Sequence, residues 1–400
     1  MTTTDEVNVP VLSDGVVTLR ARRLADVDAI VEMCRDPEFA RWTTVPSPYE
    51  RDDAVRFVTE MTPAGWRDQT DYGWAIEAAA DDGLRWFAGN ISVRTKPRPD
   101  IGFGLHPWAR GRGVMTRAVR LATRWCFDVV GMPVVHWETH RGNLDSWRVA
   151  WACGFTFHGE VPSYSPQRGE LRDAWLGMLS ADDDGSPRTT WWEVPVLDDN
   201  RVRLRPHTQA DLKRIVEACS DPTARHWLSH LPDPYTIEDA HRFVEKCRLQ
   251  ESLGTGLTWA VADRETDQLV ADVGFFRLAD KMCPGSAEIG FWAHPDARGQ
   301  GMVGEAVRLA LGHAFRPEAE GGLGRHRVQL GASWNNAASR RVAERAGFGQ
   351  VGHFRLDGVV GADPDERVLE DGAWYDLLAS DWRDRPRNVI GSEGRSPRSL

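Results

Sequence analysis

The chain has 400 residues, 49 of them Lys or Arg and 59 Asp or Glu, for a formal net charge of −10. That length exceeds one ordinary core and suits two domains, while the acidic balance excludes a general nucleic-acid binder, which needs a basic face. No apolar run reaches the roughly 18 residues of a membrane-spanning helix.

Residues 1–11 are polar and carry Asp5 and Glu6, unlike a secretory leader, so a cytoplasmic protein is expected. Residues 16–20 predict a strand. Residues 24–36 predict a helix, with Val27, Ile30, Val31 and Cys34 at helical spacing. A second helix is expected over 48–59, then strands over 73–78, 86–94 and 101–106. A helix over 116–129 and a strand over 134–140 follow. The last helix, 146–153, stops at Gly154 as a left-handed cap, and 173–179 closes the series. The implied class is α/β, with a mixed, mostly antiparallel sheet flanked by helices. The six cysteines form no Cys-x-x-Cys pair and no Cys/His cluster of metal spacing, so no metal is expected. Cys34 and Cys219 lie on apolar helix faces and read as buried small hydrophobes.

The series then repeats. Val17-Thr18-Leu19-Arg20 returns as Val202-Arg203-Leu204-Arg205, an offset of 185 (202 − 17). Asp36-Pro37 and Trp42 return as Asp221-Pro222 and Trp227 at the same offset. Phe57-Val58 returns as Phe243-Val244 at 186, Arg110 as Arg298 at 188, and Asn143…Ser146 as Asn336…Ser339 at 193. An offset that drifts only upward is expected from loop insertions, one of them over 316–325. The copies are placed at 12–182 and 194–384, with a linker over 183–193 and a disordered tail over 385–400.

In each copy an alternating strand ends in a Gly-rich turn that opens a helix. The first reads Arg110-Gly111-Arg112-Gly113-Val114-Met115 and the second Arg298-Gly299-Gln300-Gly301-Met302-Val303. Backbone N–H groups then converge at the positive end of a helix dipole, a site for an anion of diphosphate size. The glycines permit close approach and unusual φ. The pattern is neither GxxxxGK[ST] nor GxGxxG.

Asp100-Ile101-Gly102-Phe103 and Glu288-Ile289-Gly290-Phe291 precede the turns. Asn143…Ser146 then Gly154-Phe155, and Asn336…Ser339 then Gly347-Phe348, follow them. With these three elements each copy resembles the GNAT superfamily of acetyl-CoA-dependent N-acetyltransferases, and within it the RimJ/RimL type. The resemblance implies two tandem GNAT-type domains. It implies acetyl-CoA as cosubstrate, with Arg110 to Met115 and Asn143 holding it in one copy and Arg298 to Val303 and Asn336 in the other. It implies transfer of an acetyl group to a primary amine of a peptide, protein N-terminus or small metabolite by direct attack on the thioester.

Glu288 and Asp100 are the candidate bases for the attacking amine; the alternative is a solvated strand-edge acid. A backbone N–H around Phe103–Gly104 or Phe291–Trp292 is the candidate oxyanion donor. Ser339 and Ser146 are candidate partners of the leaving thiolate, or helix N-caps. Asn143 and Asn336 orient the pantetheine arm or cap the backbone. His106 and His294, each before Pro, read as structural. Trp42 and Trp227 line an acceptor groove or pack the core. Two departures stand out: Met115 and Val303 are bulky where the family's turn has a small residue, and the tyrosine many members place before Gly-Phe is Ala150 or Ala343. The reading leans to the second copy as the active one. Its rival is an acyl-CoA-binding tandem in which one or both copies are non-catalytic.

Overall fold

The computed structural model describes residues 8–382; the segment expected to be disordered, 385–400, lies outside them. The chain divides into two compact units, Met1–Thr189 and Thr190–Leu400.

In the first unit, β1 (Leu12–Ser13), β2 (Val17–Arg20), β3 (Asp71–Ala79), β4 (Arg85–Arg94), β5 (Asp100–Leu105), β6 (Val134–His140), β7 (Thr156–Gln167) and β8 (Glu170–Ser180) form one sheet in the order β1-β2-β3-β4-β5-β6-β8-β7. Helices α1 (Val27–Arg35), α2 (Pro37–Trp42), α3 (Arg51–Arg56) and α4 (Thr62–Arg67) follow β2. Helix α5 (Val114–Trp125) joins β5 to β6, and α6 (Leu144–Ala152) joins β6 to β7.

The second unit repeats this with β9 (Leu197–Asp198), β10 (Val202–Arg205), β11 (Leu257–Asp263), β12 (Leu269–Phe276), β13 (Ser286–Ala293), β14 (Arg327–Ser333), β15 (Gly349–Val360) and β16 (Val368–Leu378), in the order β9-β10-β11-β12-β13-β14-β16-β15. Its helices are α7 (Leu212–Ser220), α8 (Pro222–Trp227), α9 (Ile237–Ser252), α10 (Met302–Phe315) and α11 (Ala337–Ala346). The α/β class and the two similar sheets agree with the sequence.

One feature of the sheet positions everything that follows. Every neighbouring pair is antiparallel except β5/β6 and β13/β14, whose parallel run requires a crossover, here α5 or α10. Those pairs are short. β5 meets β6 only at Asp100↔His136 and Ile101↔Trp137. β13 meets β14 only at Ser286↔Arg327, Ala287↔Val328 and Glu288↔Gln329. Beyond these residues the strands part, and each sheet opens a V at its middle.

Shared contacts fix the frame in both units. Arg20 pairs with Asp26 at 2.8 Å and Arg205 with Asp211 at 2.8 Å, all four side chains buried. Trp74 Nε1 donates to Pro10 O and Trp259 Nε1 to Pro195 O. The central strand β4 is packed by α1 and α5, and its counterpart β12 by α7 and α10; β12 reads as an apolar run. Asp272 inside β12 breaks that run and is 4% exposed.

The structure departs from the expected elements in definite places. The short helices α2 and α8 were not expected; Asp36 and Asp221 cap them, accepting from Phe39 N and Ala224 N, with Pro at the first helical position. Strands β7 and β15 were not expected either. Their registers slip twice each, at Phe157/Gly159 and Val161/Ser165 and at Gln350/Gly352 and Phe354/Gly358, which destroys a two-residue period. The helix expected over 48–59 continues to Arg67 through a wide turn, Phe57–Met61, in which the Thr62 N–H donates to Phe57 O. In the second unit its counterpart α9 is a single α-helix.

Candidate active site

In each copy the Gly-rich turn runs directly into a helix. Gly113 and Gly301 are the residues before α5 and α10, at φ +71° and +83°, a left-handed geometry that glycine adopts without strain. Neither helix has a side-chain cap there, so its first N–H groups keep no intrahelical partner. The turn arginines are tied to acidic side chains. Arg110 pairs with Asp36 and Arg298 with Asp221. Burial works against these carboxylates, but the arginine and the capped backbone amide outweigh it and hold both below the usual range. Arg112 pairs with Asp81 at 2.6 Å, and Gln300 Nε2 donates to Asp296 O at 2.6 Å. Val114 and Met115 are buried in the fold, Met302 is likewise packed in the core, and Val303 reaches the cavity described next. Met115, bulky where the family's turn has a small residue, is 4% exposed.

In the second unit the V between β13 and β14 leads into a cavity of about 800 Å³. One limb is bounded by Gly299, Gly301 and Val303 of the turn and by Asn336, Ser339, Arg341 and Arg345 of α11 and its cap. The middle is the parted edges, residues 289–293 and 330–333. The other limb runs under α7–α9, past Trp227, Tyr235 and Phe243, to Thr258 and Asp272. His294 N donates to Val270 O. Alternation along the strand then sends the Trp292 N–H to β12 and the Phe291 N–H into the V. This decides between the two donors that the sequence left open.

The paired candidates differ sharply between copies. Asp100 is gripped by Arg94, whose Nε lies 3.0 and 3.1 Å from the two carboxylate oxygens. Glu288 has no ion pair among the described residues. It is half-buried; burial raises its pKa, and Arg277 only partly offsets this. Glu288 shares a strand face with Gly290 and Trp292, which line the cavity, and stands about 7 Å before Gly290. Ser146 Oγ accepts from Trp137 Nε1 at 3.0 Å. Trp137 stands where the second copy has Leu330 and is 1% exposed. Ser339 lines the cavity, and its Oγ has no hydrogen-bond partner among the described residues. Neither serine is the N-cap. Asn143 and Asn336 are, each accepting at 3.1 Å from the serine amide. The asparagines thus take the capping role, which leaves the Ser339 hydroxyl without a partner among the described residues and the Ser146 hydroxyl with Trp137.

The limb under the helices was not foreseen. His207 Nε2 lies 2.8 Å from Asp272 Oδ2, and both side chains are buried. In the first unit Arg22 and Asn90 hold the equivalent positions: Arg22 donates from Nε to Asn90 Oδ1 at 2.7 Å and from Nη1 to Thr62 Oγ1 at 2.9 Å. A first-unit cavity of about 210 Å³ is lined by Arg22, Thr62 and Gly73 among others, with no residue of the turn or of the V. A lone acid inside Leu269-Val270-Ala271-Asp272-Val273 was the signal in the sequence, since a charge in a doubly covered strand needs a buried partner.

The remaining candidates are structural or open. His106 and His294 are buried beside Glu32 and Glu217, at 3.5 and 3.3 Å. Trp227 lines the cavity, whereas Trp42 donates to Glu38. Burial pushes the Cys34 and Cys219 thiols up to about 12, so neither is a thiolate at neutral pH. Among the described residues no group of three or more His, Cys, Asp or Glu is placed to hold a metal, and no helix is long and apolar enough to cross a membrane.

A sheet split at its one parallel pair, with a Gly-rich turn and an Asn-capped helix at the mouth, is matched by a family model described as an acetyltransferase (GNAT) domain. The match covers residues 17–156 and again 201–349, together more than half of the chain. The chain belongs to the GNAT acetyltransferase family and carries its domain twice. Among relatives, the uncharacterized N-acetyltransferase YoaA of Bacillus subtilis is 26% identical over 161 residues, 40% of this chain and 86% of that protein. The probable N-acetyltransferase YjcK of the same organism is 26% identical over 144 residues, 36% of this chain and 71% of its own. Mycobacterium smegmatis RimJ, solved with CoA-disulfide, is 20% identical, covering 45% of this chain and 90% of that one at a TM-score of 0.39.

Proposed function

We propose that the C-terminal domain transfers an acetyl group from acetyl-CoA to a primary amine, and that the N-terminal domain keeps the fold without turnover. The observation that carries this reading is the continuous cavity of the second unit, which joins the turn, the V and the pocket under α7–α9. The pyrophosphate is held by the N–H groups opening α10, with Arg341 and Arg345 adding charge at the same mouth. The pantetheine arm lies in the V. The amine, neutral after losing a proton toward Glu288, attacks the thioester carbonyl carbon. The oxyanion takes the Phe291 N–H. The C–S bond then breaks, the proton shed by the attacking nitrogen passes to the leaving thiolate beside the Ser339 hydroxyl, and the amide and the CoA thiol are released.

In the first domain the same steps meet obstacles. Arg94 neutralises Asp100, Trp137 occupies the Ser146 hydroxyl, and the buried cation Arg22 repels an ammonium. A peptide, a protein N-terminus and a small metabolite all remain within the acceptor class.

The test is thiol release from acetyl-CoA by the full-length protein with a panel of amines. Glu288→Gln should cut kcat by about 10²–10⁴ and Ser339→Ala by less, whereas Asp100→Asn and Ser146→Ala stay near wild type. Full activity in both C-terminal variants would sink the assignment.

A further inference from the structure

The pocket under α7–α9 ends on charge. Asp272 lines the cavity, is 4% exposed, and is hydrogen-bonded through one oxygen to His207. Its other oxygen has no hydrogen bond among the described residues. Burial pushes the Asp272 carboxyl pKa up and the His207 contact only partly offsets this, so a carboxylate here costs free energy unless a cation meets its free oxygen. Around it the wall is apolar or weakly polar: Phe243, Tyr235, Cys247 and Thr258. Lys246, on the exposed side of α9, stands at the rim. Asp272 faces Trp292 across the β12–β13 pair, one residue from the open Phe291 N–H. Side chains so paired begin about 5 Å apart, so a group on Asp272 is within a short chain's length of the V.

We propose that the acceptor of the C-terminal domain is a small amine with a second, positively charged group, and that Asp272, positioned by His207, is the anchor for that charge. This rests on the acetyl-transfer reading and adds the acceptor's chemistry to it. A diamine meets the description: one nitrogen stays protonated on Asp272 while the other, deprotonated, reaches the thioester. The first domain supplies the contrast within one chain. Arg22 and Asn90 take the places of His207 and Asp272, so the first copy puts a guanidinium and an amide where the second puts an imidazole and a carboxylate, and its nearby acid, Asp71, lines the same pocket as Arg22. Only the second copy offers a carboxylate from this central strand.

Calorimetry on the full-length protein with CoA present tests this without requiring turnover. Hexamethylenediamine should bind at least about tenfold tighter than 1-hexanol, as a charge-assisted hydrogen bond to a buried carboxylate implies. Hexanoate, with an anion in the anchoring position, should bind weaker than 1-hexanol. Asp272→Asn should bring the diamine within about twofold of 1-hexanol while CoA binding persists. His207→Gln, which keeps a donor on the carboxylate, should retain most of the preference. Equal binding of the three ligands by the wild type overturns the proposal even if D272N does not fold, and so does a preference that survives D272N. A diamine preference with no acetyl-CoA-dependent thiol release would leave the anchor standing and remove the acetyl-transfer reading.

Discussion

The two halves of this chain share a frame and differ in what they leave empty. Strand order, the Arg–Asp pairs behind β2 and β10, the Asn caps of α6 and α11, and the arginine–aspartate link from turn to α2 or α8 appear twice. The linings of the V do not. Trp137 fills the place of Leu330, and Glu138 and Asp145 stand where the second copy has Gly331 and Ala338. A duplicated domain thus keeps the residues that fold it under one constraint and those that bind its substrate under another. Matching motifs alone report the first constraint and not the second.

The comparison can be broken from either side. The shared frame predicts the largest effect. Asp211→Asn leaves Arg205 only Asp267, and Asp26→Asn leaves Arg20 only Glu77, so each should cost its own unit up to about 3–5 kcal/mol, read as a lowered unfolding transition by scanning calorimetry. A loss in only one unit would mean that the pairs are not equivalent. Next comes the exchange of the cleft residue. Leu330→Trp should overpack the second V by ~1–3 kcal/mol and lower acetyl transfer at least tenfold. Trp137→Leu should leave turnover within about twofold. The opposite pattern in the thiol-release assay would move the active site to the first unit. The smallest effect is on pH. Burial raises the Glu251 carboxyl to about 8, whereas an unfolded glutamate ionises near ~4.3. Between those values the folded unit binds the extra proton, so its stability falls as pH rises, by up to roughly 1.4 kcal/mol per pH unit. Glu251→Gln should flatten that slope in urea melts. The first unit has Trp66 at this position and should lack the Glu251 contribution, keeping only that of Asp71, whose pKa burial also raises.

Much of the fold was readable because two copies of each pattern corroborate one another. The turn, its glycines and the order of elements follow from period and spacing. Strands β7 and β15 escaped because bulges erase their alternation, and α2 and α8 because six residues carry too little periodicity. In the site, the acid, the serine and the asparagine were all visible as residue types. What each one touches was not. The grip of Arg94 on Asp100 and of Trp137 on Ser146 depends on cross-strand register and on a helix packed over a strand, which local spacing does not encode. His207 and Asp272 are 65 residues apart and meet only in the folded sheet.

The wide turn Phe57–Met61 carries a record of how the halves diverged. The capping boxes Glu50…Asp53 and Thr236…Asp239 are 186 residues apart (236 − 50), yet the closing bonds from Thr70 to Gly65 and from Thr255 to Gln250 are 185 apart (255 − 70). The offset therefore drops by one inside this helix, against the expected steady rise, and the first copy holds the additional residue. An extra residue in an α-helix rotates everything beyond it by about 100°. Looping that residue out over five positions leaves the flanks in phase, so Val58 and Trp66 both stay buried. The turn is an indel scar: it shows that a helix roofing a binding pocket can absorb a change in length without changing which side chains it shows to the sheet.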